Sequence, residues 1–403
     1  MDSPRRHAAL EERRTTRESA SGAVADHRPV VVLSANNCWN LANFRAALLT
    51  GLQAAGYRLV AFAPLDSHAD DLRQLGIEVR PVPIARSGMN PVTDARLLFR
   101  YVRMLRALRP VAYCGFTIKP NVYGAIAARM ARVPAINNVT GLATPYLSEG
   151  LVWALAERLY RFAFKRSHTV FYHNDEDLRL MLERKVVRPD QGRVIPGSGV
   201  NLDQFKPDEE EREDGPPRFL FFGRLILHKG IREFIDAVKM LRPIMPQARF
   251  QLLGNPDPGN PTSVSEQELQ AWIADGVIEH LGEQRDVRLF IRQASIVVLP
   301  SYREGMSRAL LEGAAMGKPL VGSDVAGSRE LIEDGVTGLL CRARDCRSLA
   351  DAMERMGRMP AKRLREMGLA ARAKVEREFS EEVVVRAYLE VLEQAIASTG
   401  APR

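Results

Sequence analysis

The chain has 403 residues, of which 46% are apolar, and this length allows more than one hydrophobic core because single domains usually stop growing near about 250 residues. No apolar run approaches the roughly 20 residues that span a bilayer, which argues against an integral membrane protein. The formal charge of +8 favours an anionic partner, and this leaves nucleic acid, an acidic lipid surface and phosphorylated substrates as candidates.

The N-terminal half begins with residues 1–28, which are crowded with Arg, Glu, Ala and Ser and are predicted to form a mobile tail. From residue 29 onwards, strands alternate with helices. The predicted strands are Val30–Leu33, Arg58–Ala63, Val111–Cys114 and Ala135–Val139, and the predicted helices are Asn43–Ala55, which ends at Gly56, and Asn121–Arg132. Such alternation is typical of a parallel sheet, so residues 29–205 are predicted to form one Rossmann-like domain.

The C-terminal half follows an acidic, proline-rich segment, residues 206–217, which is predicted to be an exposed linker. The predicted strands beyond it are Arg218–Phe222, Arg249–Leu253, Val277–Leu281, Ile296–Pro300, Leu320–Ser323 and Gly338–Cys341, and helical patterns cover Gly230–Leu241 and Ser348–Ala397, interrupted at Pro360 and Gly368. We expect a second Rossmann-like domain over residues 218–380 and a C-terminal helix over residues 381–403 that can cross back to the first domain. The predicted fold class is α/β, with two doubly wound domains facing each other across a cleft.

The four cysteines, Cys38, Cys114, Cys341 and Cys346, form no CxxC pair and have no histidines at zinc spacing. This pattern predicts neither a disulfide framework nor a structural metal. It fits a reducing compartment, so we expect a cytoplasmic protein.

The clearest candidate site is the segment Ser301–Arg308, which follows a predicted strand and opens a predicted helix. The backbone N–H groups of Gly305, Met306 and Ser307 would lie at a positive helix terminus, which is able to hold a diphosphate. Gly305 would let that backbone approach a ligand closely.

Glu304 lies within this segment and Glu312 follows it, and the two glutamates would be about 12 Å apart if both lay on one helix. One carboxylate would bind hydroxyls of a sugar, and the other would bind a ribose beyond the phosphates. The alternative is a helix-capping Glu304 and a solvent-facing Glu312.

A second candidate segment is Gly223–Gly230, again directly after a predicted strand. Arg224 and Lys229 flank this turn, where a guanidinium fork and an ammonium group could neutralise two phosphates and stabilise a departing nucleotide diphosphate. On its own, the stretch also fits a basic surface loop. Two phosphate-binding loops in one predicted domain support each other.

Together, Gly223–Gly230 and the glutamate pair resemble glycosyltransferase family 4, a large retaining group with the GT-B fold, and the likeness extends from residue 29 to about residue 392. The resemblance implies a nucleotide-sugar donor, with uridine as the nucleoside, and retention at the anomeric carbon. It implies no cofactor and no metal, because the basic pair replaces a divalent ion. It places Glu304 at the donor sugar, Glu312 at the ribose and Arg224 and Lys229 at the phosphates, with Gly223, Gly305, Met306 and Ser307 as further donor-binding residues.

Five segments of the N-terminal half narrow the likeness to the subgroup that extends polyprenyl diphosphate-linked sugars. They are Asn43–Arg45, Gly88–Pro91, Thr117–Gly124, Val139–Leu142 and Ile195–Val200. Such enzymes usually transfer an N-acetylhexosamine during O-antigen, capsule or glycoprotein glycan assembly. The likeness implies that Thr117, Lys119, Asn121 and Thr140 face a lipid-linked saccharide acceptor, with Lys119 as a partner for its diphosphate or, alternatively, a solvated loop lysine.

Two features depart from the family pattern. Many members have a glycine-rich turn after the first strand, whereas this chain has Asn36–Asn40, so we predict no phosphate contact from that loop. Many also have a histidine where Thr140 stands, so either Thr140 or Asn138 takes over its role or the role is lost. His173 and His228 have no evident partner and are predicted to be packed or surface histidines.

Two basic amphipathic stretches, Asp94–Arg109 and Leu147–Arg166, fit a peripheral position on the inner face of the cytoplasmic membrane. Either stretch also fits a helix packed on the sheet with a solvated outer face. A lipid-linked acceptor favours the membrane interpretation.

Two rival functions remain. A nucleotide-sugar epimerase of similar shape would consume the donor without an acceptor. A nucleic-acid-binding protein would need aromatic side chains clustered among its basic residues or a helix-turn-helix signal, and the sequence has neither. We therefore predict a retaining glycosyltransferase whose partners are a nucleotide sugar, a lipid-linked saccharide and a membrane surface, with no nucleic acid.

Overall fold

The computed structural model describes residues 27–85, 90–142, 151–207 and 215–399, and it describes their side chains except for 151–153 and 399. Several predictions fall partly outside the described residues. They concern residues 1–26 of the tail, Gly88 and Met89 of one family segment, residues 147–150 of the second amphipathic stretch, residues 208–214 of the linker and residues 400–403 of the C-terminal helix.

The N-terminal domain is an α/β unit. Its strands are β1 (Val30–Ser34), β2 (Arg58–Ala63), β3 (Glu78–Pro81), β4 (Ala112–Phe116), β5 (Ala135–Val139), β6 (Thr169–Tyr172) and β7 (Gly192–Val194). Its helices are α1 (Cys38–Phe44), α2 (Ala46–Ala54), α3 (Ala69–Gln74), α4 (Pro91–Leu108), α5 (Ala125–Ala131), α6 (Leu151–Phe164) and α7 (Asp175–Glu183), with a π-helical turn at Pro120–Gly124. The seven strands form a parallel sheet in the order β3-β2-β1-β4-β5-β6-β7. Every residue of β4 is buried, as expected where helices cover both faces of a parallel sheet.

The C-terminal domain repeats this architecture. Its strands are β8 (Arg218–Phe222), β9 (Arg249–Leu253), β10 (Glu279–His280), β11 (Ile296–Leu299), β12 (Leu320–Ser323) and β13 (Gly338–Cys341). Its helices are α8 (Ile231–Leu241), α9 (Glu266–Ala274), α10 (Arg288–Gln293), α11 (Arg308–Ala315), α12 (Cys346–Gly357) and α13 (Ala361–Glu378), with a 3-10 turn at Leu227–Lys229 and a last helix, α14 (Glu381–Thr399). The six strands are parallel, in the order β10-β9-β8-β11-β12-β13. The prediction of an α/β fold with two Rossmann-like domains is confirmed.

One predicted helix of the N-terminal domain is wrong, because Asn43–Ala55 is divided between α1 and α2. Asn37 starts α1 earlier than predicted, since its side chain accepts the N–H of Asn40 at 2.8 Å. Arg45 then leaves helical geometry, with φ −129° and ψ 8°. The family segment around Arg45 therefore lies at a break between two helices.

The closing helical stretch contains a second difference. Pro360 precedes α13 as predicted, whereas Gly368 lies inside that helix and interrupts nothing. A Cβ on Gly368 would lie 1.9 Å from the carbonyl oxygen of Gly317, so close packing explains this glycine. The second interruption lies at Phe379 and Ser380, where the chain crosses towards the N-terminal domain.

Helix α14 packs on the N-terminal domain after this crossing. Its side chains Val384, Tyr388, Val391 and Leu392 join the core formed with β1 and α2. The Tyr388 hydroxyl also accepts a hydrogen bond from Asn138 Nδ2 at 2.9 Å. The last helix therefore ties the two domains together behind the cleft.

Polar contacts join the domains at the cleft itself. Arg303, which follows β11, forms ion pairs with Glu176 at 2.7 Å and Asp177 at 2.5 Å, both on α7. Asn174 caps α7 and donates from Nδ2 to the Gly305 carbonyl oxygen at 2.8 Å. The first candidate segment thus lies directly against the N-terminal domain.

Candidate active site

A cavity of about 450 Å³ opens at the carboxyl ends of β8 and β9, where parallel α/β sheets bind their ligands. Phe222 and Leu253 contribute apolar wall, and Glu283 contributes a carboxylate. Gly223 and Arg224, both predicted site residues, line the same cavity. The Arg224 side chain is exposed and has no carboxylate partner among the described residues, so its charge is available to a ligand.

Glu304 lies in a loop, and this corrects the geometry expected from the sequence. Helix α11 begins only at Arg308, with Ser307 as its N-cap, so the helical separation of Glu304 and Glu312 does not apply. The loop is fixed by close packing, since a Cβ on Gly327 would lie 2.5 Å from the Glu304 Cβ. The approach of Gly327 therefore determines where the Glu304 carboxylate lies.

The backbone N–H groups of this loop divide into two sets. Glu304 N–H donates to the Ala326 carbonyl at 3.1 Å, and Ser307 N–H donates to the Gly327 carbonyl at 3.0 Å. The Ser307 N–H therefore already forms a hydrogen bond within the domain, although the sequence predicted that it would bind the diphosphate. The N–H groups of Gly305 and Met306 have no acceptor among the described residues, and they remain the donors next to the positive end of α11.

Lys229 and Glu304 meet although 75 positions separate them in the sequence. Lys229 Nζ lies 2.6 Å from Glu304 Oε1, which also accepts a hydrogen bond from Ser301 Oγ at 2.6 Å. The approach depends on Gly230, where a Cβ would lie 2.0 Å from the Pro300 carbonyl oxygen. The ammonium group of the segment Gly223–Gly230 therefore contacts the segment Ser301–Arg308.

Glu312 lies on α11 and is nearly inaccessible, so the solvent-facing alternative is wrong. Burial raises the pKa of its carboxyl group, while Arg308, which donates from Nε to Glu312 at 2.5 Å, opposes this rise. Arg308 also crosses the cleft, since its guanidinium lies 4.8 Å from the Phe44 ring centre and donates to the Asn43 carbonyl at 3.3 Å. One arginine thus links Glu312 to the opposite domain.

The predicted acceptor residues of the Thr117–Asn121 turn have different environments. Thr117 has φ 67°, and its Oγ1 is buried without a hydrogen-bond partner among the described residues, a kind of backbone strain that clusters at functional sites. Lys119 is paired with Asp94 at 2.7 Å, so an acceptor diphosphate would have to compete with that carboxylate. Asn121 is 1% exposed and bonds to Asn137 and Asn138, and direct contact with an acceptor would require these bonds to break.

His173 is a packed side chain, as predicted, and is 5% exposed. It has a partner after all, because its Nε2 lies 2.8 Å from Asn138 Oδ1, and it lines a cavity between the domains together with Thr140. Burial, with Arg45 nearby, lowers the His173 pKa to about 3, so the ring is neutral at physiological pH. Asn138 is itself fully buried and bonded to Tyr388, whereas Thr140 is exposed.

The other histidine considered from the sequence, His228, has a packing role. His228 packs edge-on against Tyr302, with 6.1 Å between ring centres, and burial lowers its pKa.

No group of three or more His, Cys, Asp or Glu side chains is arranged to hold a metal within the described part of the chain. No helix in that part is long and apolar enough to cross a bilayer.

Comparison with protein families identifies both halves of the chain. The description "Glycosyl transferases group 1" matches residues 216–358, and "Glycosyl transferase 4-like domain" matches residues 41–197. Both candidate segments of the C-terminal domain fall within the first match, and the Thr117–Asn121 turn falls within the second.

Among similar proteins, the Campylobacter jejuni N,N'-diacetylbacillosaminyl-diphospho-undecaprenol alpha-1,3-N-acetylgalactosaminyltransferase is 27% identical over 88% of this chain and 96% of its own length. The Escherichia coli UDP-Gal:alpha-D-GlcNAc-diphosphoundecaprenol alpha-1,3-galactosyltransferase is 26% identical over 73% of this chain and 77% of its own length. The crystal structure of Anabaena HepE with UDP and glucose superposes with a TM-score of 0.75 at 19% identity, covering 91% of this chain and 100% of that one. This structural likeness shows the GT-B fold.

Proposed function

Because the chain belongs to the group 1 glycosyltransferases with a 4-like N-terminal domain, we propose that it moves a sugar, an N-acetylhexosamine or related hexose, from a UDP-linked donor to a polyprenyl diphosphate-linked saccharide. The C. jejuni and E. coli relatives are named for lipid-linked acceptors of this kind, and one of them for a UDP-linked donor. Surface polysaccharide or glycan assembly is the process in which such a product would be used.

One observation carries the proposal: the 450 Å³ cavity, two N–H groups with no acceptor in the described part of the chain, and the Lys229–Glu304 pair are held on adjacent loops at the carboxyl ends of one sheet. A nucleoside fits the partly apolar cavity. The diphosphate would accept hydrogen bonds from the N–H groups of Gly305 and Met306 and from Arg224. The sugar would then extend towards Glu304.

The transfer step that we propose breaks the bond between the anomeric carbon and the leaving phosphate oxygen. Charge that develops on the departing diphosphate is stabilised by Lys229, Arg224 and the positive end of α11. The acceptor hydroxyl attacks from the face that the diphosphate leaves and gives its proton to a phosphate oxygen, which retains configuration. Glu304 already bonds Lys229 and Ser301, so we assign it to positioning sugar hydroxyls and propose no covalent intermediate.

The acceptor would approach from the N-terminal domain, on the side of the Thr117–Pro120 turn. Phe99 on α4 is 68% exposed and Ile118 in the turn is 53% exposed, and α4 carries exposed arginines. Apolar side chains among positive charges favour an anionic lipid surface. We propose that this face lies on the inner side of the cytoplasmic membrane, and sedimentation with anionic vesicles tests it.

The test of the proposed function follows release of nucleotide diphosphate with UDP-sugars and a synthetic polyprenyl diphosphate saccharide. We expect transfer to persist in EDTA, since the charges on the diphosphate are met by side chains and backbone. The Lys229→Met variant should lower kcat by about 100- to 1000-fold, whereas Lys239→Met, at an exposed lysine paired with Asp236, should not. Isomerisation of the donor without acceptor would favour the epimerase, and full activity in Lys229→Met would contradict the proposal.

A further inference from the structure

Arg45, at the break between α1 and α2, is a buried cation that forms no ion pair with any carboxylate of the described residues. It is 4% exposed, and its Nε and Nη1 are buried with no hydrogen-bond partner among the described residues. The Phe116 ring, with its centre 4.7 Å from the guanidinium carbon, offers a cation–π contact. A guanidinium keeps its charge in proteins, and burial of an unpaired charge is unfavourable. The position therefore favours an anion.

Arg45 is one of the residues that line a cavity of about 180 Å³ between the two domains. Asn40 and His173 line it from the N-terminal side, and Met306 and Arg308 line it from the C-terminal side. None of its described lining residues is acidic. Asn40 Oδ1, which also has no hydrogen-bond partner within the described ranges, is an acceptor and would need a donor from a ligand or from water.

We infer that Arg45 binds a phosphate group of a substrate diphosphate from the N-terminal side of the cleft. A guanidinium N–H forms a strong, charge-assisted hydrogen bond with a phosphate oxygen. Met306 lines this cavity and carries one of the two free N–H groups next to α11, so the cavity adjoins the donor site. The loop Asn36–Asn40 lacks a glycine-rich turn, and Arg45 supplies a phosphate-binding group beside that loop from a side chain.

The inference rests on the proposed function, because two substrates then carry a diphosphate. The donor brings one, and the lipid-linked acceptor brings the other. Both present the same chemistry to Arg45, and binding measurements separate them. UDP reports the donor diphosphate, while inorganic pyrophosphate added to UDP-saturated protein reports a second anion site.

The experiment is calorimetric titration of the full chain, as wild type, Arg45→Met, Arg45→Lys and the control Arg73→Met, in which an exposed surface arginine is lost. We expect Arg45→Met to weaken one of the two ligands at least about 10-fold, Arg45→Lys to recover part of the loss and Arg73→Met to bind as wild type. A weaker UDP complex assigns Arg45 to the donor, and weaker pyrophosphate binding with unchanged UDP affinity assigns it to the acceptor. Unchanged binding of both ligands in Arg45→Met overturns the inference.

Two further readouts separate binding from a structural role. Removal of an unpaired buried charge should leave the thermal midpoint of Arg45→Met unchanged or higher, and a lower midpoint with normal anion binding would make Arg45 structural and overturn the inference. Anion binding should also shift the ring resonances of His173 but not those of His168, which precedes β6 at the opposite end of the strand. None of these measurements needs transfer activity, so Arg45-dependent anion binding without transfer would refute only the proposed function.

Discussion

Gly305 offers a test of how closely the two domains must approach. A Cβ at this position would lie 2.0 Å from the carbonyl oxygen of Thr140 and 3.0 Å from the Cα of Gly141, both on the opposite domain. Ordinary contact begins near 3.4 Å, so the Gly305→Ala variant would have to separate the two loops by about 1.4 Å. A displacement of about 1 Å at a reacting centre costs about 100-fold in rate. We therefore expect kcat/KM to fall about 100-fold.

The assay is release of nucleotide diphosphate at varied donor and saturating acceptor. Gly259→Ala is the matched control, because Gly259 is exposed and a Cβ there would meet only Asp257, at 3.6 Å. We expect the control to retain wild-type kcat/KM and both variants to keep their thermal midpoints within a few degrees, since opening a cleft leaves each domain core intact. A Gly305→Ala enzyme within threefold of wild type would refute the idea that this contact sets the productive geometry.

Two predictions concern buried titratable groups. The folded-state pKa of His173 is lowered to about 3, so the wild-type protein should lose stability as pH falls from about 6.5 towards 3, at about 1.4 kcal/mol per pH unit. His173→Gln lacks this titratable group. Urea unfolding should show that the difference in the free energy of unfolding between the two proteins changes by about 2 kcal/mol between pH 7 and pH 5. A difference that stays constant with pH would contradict the lowered pKa of His173. The folded-state pKa of Glu312 is raised, so the stability that depends on its protonated form is lost as pH rises through this pKa. Glu312→Gln should therefore be more thermally stable than the wild type at pH 7.5 but not at pH 4. Equal differences at both pH values would show that Arg308 fully compensates the buried charge.

The fold was predictable because buried parallel strands leave continuous apolar runs in the sequence. The bounds of strands β8 and β9 are identical to the predicted ones. The division of Asn43–Ala55 into two helices was not visible, since helical spacing continues across Arg45 and only the packed structure reveals the break. Gly368 shows the same limit, because its reason is the approach of Gly317 from a distant segment.

The site was predictable where its chemistry is local. In the loop before α11 and in the basic turn after β8, the residues that indicate phosphate binding lie within a few positions of one another in the sequence. The contact between Lys229 and Glu304 depends on the meeting of two strand ends, which spacing does not encode. The hydrogen bond of His173 to Asn138 likewise follows only from the packed domains, as does the lack of a hydrogen-bond partner for Arg45 Nε and Nη1 within the described part of the chain.

The most direct test of the central claim is a crystal structure of the protein with a UDP-linked N-acetylhexosamine. We predict uracil in the cavity lined by Phe222 and Leu253, and diphosphate oxygens within about 3.2 Å of the N–H groups of Gly305 and Met306. The sugar should lie against Glu304. A donor bound away from these residues, or no bound donor at millimolar concentration, would contradict the claim.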